Sequence, residues 1–77
     1  MTKVKFVGID DWNRPIFKDD KKNYYGSTDI LFDYDETEGN VLERVEAKDL
    51  TFFGNHFGCE PMGIPYDVQI IKQEDNF

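Results

Sequence analysis

His56 and Cys59 are the only histidine and the only cysteine in the chain. Their H-x-x-C spacing offers two ligands of the kind zinc takes, but structural zinc is held by four. With no second Cys or His present, only carboxylates or another subunit would close such a site. The same pair could serve as a thiolate and its base. Nucleophilic catalysis also needs an orienting third group and an oxyanion donor, and no spacing here announces either. Read without chemistry, Cys59 is a small buried thiol and His56 a loop histidine able to titrate near neutral pH.

Acidic residues raise the next question. Asp33-Tyr34-Asp35-Glu36-Thr37-Glu38-Gly39 holds the hard oxygen ligands that calcium prefers. With Asp33 at the first position of an EF-hand loop, Asp35 fits the third. Glu38 then falls where the sharp-turn glycine belongs, and Arg44 replaces the bidentate glutamate. The template fails, and the expectation is a solvated acidic hairpin loop. The neighbouring carboxylates Asp10-Asp11, Asp19-Asp20 and Glu74-Asp75 fall in turns or in the tail. A general acid needs a pocket that shifts its pKa, and a solvated turn provides none. Gly54, Gly58 and Gly63 match neither phosphate-cradling pattern. The sequence therefore predicts no catalytic residue, no metal and no cofactor, and the chain reads as a non-enzyme.

Aromatic residues are the remaining candidates. In a strand, Phe52 and Phe53 point to opposite faces. Either the sheet is covered on both sides, a bulge intervenes, or one ring is left for a partner. Trp12, beside Arg14 and Pro15, either plugs one end of the fold or forms a platform. Trp12, Phe53 and Phe57 are accordingly the candidate partner-binding residues.

The elements that must position these rings are short. Val4, Phe6 and Gly8 alternate with Lys5, Val7 and Ile9, which predicts a first strand. Asp10–Pro15 supplies turn chemistry, Ile16–Lys18 a second strand, Asp19–Asn23 a polar hairpin loop and Tyr24-Tyr25 a third extended piece. Asp29–Tyr34 predicts a strand with Ile30, Phe32 and Tyr34 on one face. Residues 41–47 fit either a strand or a short helix over 40–48, and Gly39-Asn40 favours the strand through a hairpin turn. Leu50–Phe53 and Tyr66–Ile71 complete the set, with Pro61, Pro65 and three glycines breaking the chain between them. The predicted fold is all-β: an antiparallel meander of five to seven short strands closed into a small barrel or roll over 1–72, with 73–77 as a flexible tail.

Size and charge bound what such a domain does. Seventy-seven residues allow one thin core, strengthened by seven Phe, four Tyr and one Trp, each removing roughly 150–250 Å² from water when buried. The net charge is −7. Residues 1–22 carry six basic against four acidic side chains, and residues 23–77 three against twelve, so +2 and −9 sum to that value. A field of this sign repels phosphate backbones and favours cationic partners, which disfavours direct nucleic-acid binding. No apolar stretch approaches the roughly 18–20 residues of a membrane span, the first residues lack an apolar signal region, and a lone cysteine forms no internal disulfide. A cytoplasmic setting is expected.

Val7-Gly8-Ile9-Asp10-Asp11-Trp12-Asn13-Arg14-Pro15-Ile16-Phe17-Lys18-Asp19, with Phe57–Pro65 far downstream, resembles small uncharacterised domains of gut bacteria, some joined to large polyvalent proteins of mobile elements. In those, a W/F-x-R-P-V-F-K-D stretch precedes a G-E-P-x-x-P stretch. Here Cys59 stands where a glycine precedes Glu-Pro, and one extra residue separates the prolines. The resemblance spans about a third of the chain and implies a bacterial accessory domain. Three functions follow as expectations. The first is an interaction module acting through exposed aromatics and an acidic face. The second is a nucleic-acid mimic that blocks a DNA-binding protein, and the third, least supported, is an enzyme. Partner identity and oligomeric state are not legible in these residues.

Overall fold

Two hairpins of the same construction set the architecture. In the computed structural model, which describes residues 2–55 and 67–77, β1 (Thr2–Ile9), β2 (Pro15–Lys18) and β3 (Tyr24–Gly26) form a meander. β4 (Thr51–Gly54) pairs antiparallel with β3, and β5 (Val68–Ile71) pairs parallel with β1. The sheet order is β4-β3-β2-β1-β5, so β4 and β5 are opposite edges. A barrel would require those two strands to pair. The expected closed, antiparallel sheet is therefore corrected to an open, mixed, five-stranded one; the fold is mostly β, and the short helix weighed at 40–48 is present as one helix.

Helix α1 (Glu38–Arg44) and a 3-10 turn (Ala47–Asp49) link β3 to β4. The expected strand at 41–47 fails because Thr37 starts a helix: its hydroxyl accepts the Asn40 N–H at 3.4 Å. One helical turn then places Val41 and Val45 on the same side, and both are buried. Gly39 is the second residue of that helix, not the tip of a hairpin. Residues 29–34 are likewise not a strand but a loop packed over the sheet, with Ile30 and Phe32 inward and Tyr34 in solvent.

One face of the sheet carries the main core. Val4, Phe6, Phe17, Tyr25 and Val68 meet Phe32, Val41, Val45 and Leu50 from the overlying loop, helix and turn. Rings on adjacent strands pack edge to face, Phe6 on Phe17 at 5.7 Å and Tyr25 on Phe52 at 5.5 Å. Two register shifts adjust which side chains reach this core. In β1 the pairing steps from Phe6↔Phe17 to Gly8↔Ile16, leaving Val7 as an extra residue. Ile9 is thereby returned to the core side. In β4 the shift between Tyr25↔Phe52 and Tyr24↔Gly54 makes Phe53 the extra residue, and it turns to the opposite face.

Residues 73–77, expected to be a free tail, are tied at their base. The Gln73 N–H donates to Glu38 at 2.6 Å and its side-chain amide donates to the Phe6 carbonyl at 2.7 Å. Among the described residues no helix is long and apolar enough to cross a membrane.

Candidate partner-binding surface

The site begins with a turn. Asp10 closes the β1–β2 hairpin: its N–H donates to the Arg14 carbonyl at 3.2 Å and its carbonyl accepts the Asn13 N–H at 3.0 Å. Asn13 takes φ 63°, so the connection is a three-residue loop with its last residue left-handed. The Asp10 side chain fills the turn from inside. One carboxylate oxygen accepts the N–H groups of Trp12 at 3.0 Å and Arg14 at 2.9 Å, and the other accepts Arg14 Nε at 2.8 Å. Arg14 Nη2 lies 2.6 Å from that same oxygen, completing a buried ion pair. Removing either partner would strand a charge away from water, a loss of about 3–5 kcal/mol.

Arg14 also settles where the two candidate rings lie. Its guanidinium is 4.6 Å from the Phe53 ring and 5.7 Å from the Trp12 ring. Phe53 is 0% exposed, enclosed with Ile16 and seated on Gly26, where a β-carbon would come within 2.7 Å of the ring. Of the readings for the Phe52-Phe53 pair, the structure contains the one in which the sheet is covered on both sides here: Phe52 packs against the main core and Phe53 is enclosed on the opposite face. Phe53 is a core residue, not a contact surface. Trp12 is the reverse: it stands 64% exposed on the turn tip. Phe57, with His56 and Cys59, lies outside the described residues.

Two further exposed apolar residues, not singled out in the sequence as candidates, lie in the loop bonded to this turn. Asn13 donates its side-chain amide to the Phe32 carbonyl at 2.8 Å, and its own carbonyl accepts the Phe32 N–H at 2.9 Å. These bonds staple the 28–36 loop to the turn. Next to Phe32 in the loop are Leu31 and, three residues beyond Leu31, Tyr34, which are 52% and 82% exposed. Acids crowd the same stretch, with Asp11 on the turn and Asp29, Asp33, Asp35 and Glu36 along the loop. Burial of Phe32 between exposed neighbours is the signal that could have found Leu31. The strand reading hid it.

Glu36 is held below the usual carboxylate range. Its Oε1 accepts the Asn40 amide at 2.8 Å and the Thr37 N–H at 3.2 Å, with Arg44 adding a weaker favourable charge. The expected acidic hairpin loop is thus the entry to a helix. Among the described residues no group of three His, Cys, Asp or Glu side chains is placed to hold a metal ion. The exposed apolar side chains here are Trp12 on the turn and Leu31 and Tyr34 on the loop, with acidic residues beside them in the sequence. No protein-family model matches this chain, and no curated protein or solved structure matches it.

Proposed function

We propose that this domain is a protein-interaction module that recognises a basic, partly apolar segment through Trp12, Leu31 and Tyr34. The observation that carries the reading is Trp12, an aromatic left in water on a turn whose backbone is fixed by a buried ion pair. Aromatic anchors on pre-ordered backbone are characteristic of binding hot spots, because little freedom is lost on association. The acids beside Trp12, Leu31 and Tyr34 in the sequence select a cationic partner and speed its encounter. The bacterial accessory role implied by the sequence resemblance belongs to the same proposal. A nucleic-acid mimic would need its carboxylates free in an array. Asp10 and Asp19 direct theirs into turns, which favours the interaction module.

Trp12 is the single tryptophan, so it reports on its own site. Titration with an amphipathic Lys/Arg peptide should shift its emission to shorter wavelength, with an affinity that falls as salt rises. Trp12→Ala combined with Tyr34→Ala should abolish binding, read by anisotropy of a labelled peptide. An unmoved emission spectrum together with salt-independent or absent binding would overturn the proposal.

A further inference from the structure

The opposite side of the sheet gathers four of the nine Lys and Arg residues of this acidic chain. Lys3 and Lys5 alternate with buried Val4 and Phe6, so they point away from the main core. Lys18 is the cross-strand partner of Lys5, and Lys22 from the β2–β3 loop joins Lys5, Val7 and Lys18 around a groove of about 300 Å³ that Asp19 and Asp20 also line, the Asp19 carboxylate being bonded inward to its own turn. Among the described residues none of these four lysines forms an ion pair. Like charges directly opposite in a sheet are unfavourable, and folding alone does not require them.

Phe77 reaches this face from the far end of residues 73–77. Gln73 is anchored as described above. A turn then reverses the chain, with the Asp75 N–H donating to the Lys72 carbonyl at 3.0 Å and an Asp75 carboxylate oxygen accepting the Lys72 N–H at 3.3 Å. The reversal brings the Phe77 ring over β1, where Lys5 Nζ lies 4.5 Å from its centroid. Phe77 lines the groove beside Val7, yet it is 47% exposed and Val7 is 44% exposed. The contact is loose enough to be exchanged.

We infer that this lysine face is a docking surface for an acidic peptide segment bearing an aromatic residue, and that Phe77 occupies its aromatic position in cis as a stand-in. The four lysines without ion pairs name one half of the ligand, carboxylates, and the Phe77 ring names the other, an aromatic group at the cation–π position beside Val7. The net charge of −7 works against a long polyanion such as nucleic acid, whose binding grows with the number of phosphates neutralised. A short acidic segment senses the local lysines more than the distant acids. A tethered occupant competes at an effective concentration in the millimolar range, so releasing it should sharply raise affinity for a free peptide.

The test uses a fluorescein-labelled Gln-Glu-Asp-Asn-Phe peptide in anisotropy at low salt. Phe77→Ala should bind it at least about tenfold more tightly than the unaltered chain. Adding Lys5→Gln and Lys18→Gln to Phe77→Ala should remove the gain, as should replacing the peptide's Phe by Ala. Circular dichroism confirms that each variant is folded. Trp12→Ala should leave this binding unchanged, which separates its failure from failure of the Trp12 surface. No gain in Phe77→Ala, undetectable binding by every form, indifference to the lysine changes, or tighter binding of an oligothymidylate than of the peptide would each overturn the inference.

Discussion

Asp19 does for the second hairpin what Asp10 does for the first. Its Oδ1 accepts the N–H groups of Lys21 at 2.8 Å and Asn23 at 3.0 Å, and its Oδ2 accepts the Tyr25 hydroxyl at 2.9 Å. Burial pushes its pKa up, but bonds from the Asn23 N–H, the Tyr25 hydroxyl, the Lys21 N–H and the Asn23 amide outweigh it, and the net shift is downward from 3.8. A folded pKa below the unfolded one means the native state binds fewer protons, so this stabilisation is complete above the unfolded value. It is lost as pH falls through the folded value. Urea midpoints measured from about pH 6 to about pH 3 should therefore decline on acidification, and Asp19→Asn should flatten that decline. An equally steep decline in Asp19→Asn would show that other carboxylates carry it. The same turn holds Lys22 at φ 68°, a conformation that disfavours any residue with a β-carbon by about 1–2 kcal/mol. Lys22→Gly should stabilise the protein by about 0.5–1 kcal/mol, after allowance for glycine's greater freedom when unfolded. A lower thermal midpoint in that variant would contradict the left-handed assignment.

At the scale of elements, two glycines behave oppositely. Gly39 lies in α1 with nothing within 4 Å of where its β-carbon would be, so Gly39→Ala should raise stability by about 0.5–1 kcal/mol through helix propensity. Gly26 in β3 faces the Phe53 ring at 2.7 Å and the Pro15 carbonyl at 2.8 Å. Gly26→Ala should therefore destabilise by about 1–3 kcal/mol as an overpacked site, and paired urea melts of the two variants read both signs. What the sequence made legible divides along the same line. The first two turns and β1 to β4 were readable, because Asp, Asn and period-two alternation act within a few residues. The helix was weighed but placed second because Gly39-Asn40 imitates a hairpin turn locally, while Val41 and Val45 declare a helix only once a sheet lies beneath them. Trp12 was found as a candidate by type. Phe53 was misjudged because the groups that meet it, Gly26 and Arg14, come from distant positions in the sequence. The parallel placement of β5 beside β1 is a long-range fact that no local pattern encodes.

Across the whole molecule, charge is sorted by surface. Acids gather on the turn that carries Trp12 and on the loop bonded to it, and lysines gather on the sheet face beside Phe77. Such sorting has a thermodynamic signature, because a sheet built only for stability would not set Lys18 opposite Lys5. Lys18→Thr removes that repulsion and places a β-branched residue on a pleated, half-buried position. It also takes the net charge from −7 to −8, which slightly raises long-range repulsion. The cross-strand effect acts over roughly 5 Å, whereas repulsion among dispersed acids is screened beyond about 8 Å at physiological salt, so the local gain should win. Lys18→Thr is expected to raise the urea midpoint by the equivalent of about 0.2–1 kcal/mol at about 0.15 M salt, and the difference from the unaltered chain should shrink as salt rises. Greater stability combined with weaker capture of an acidic peptide would be the trade between fold and function expected of a surface kept for binding. A loss of stability in Lys18→Thr would mean that Lys18, whose ammonium lies 5.7 Å from the Tyr24 ring, is held there by that aromatic contact and contributes to the fold itself.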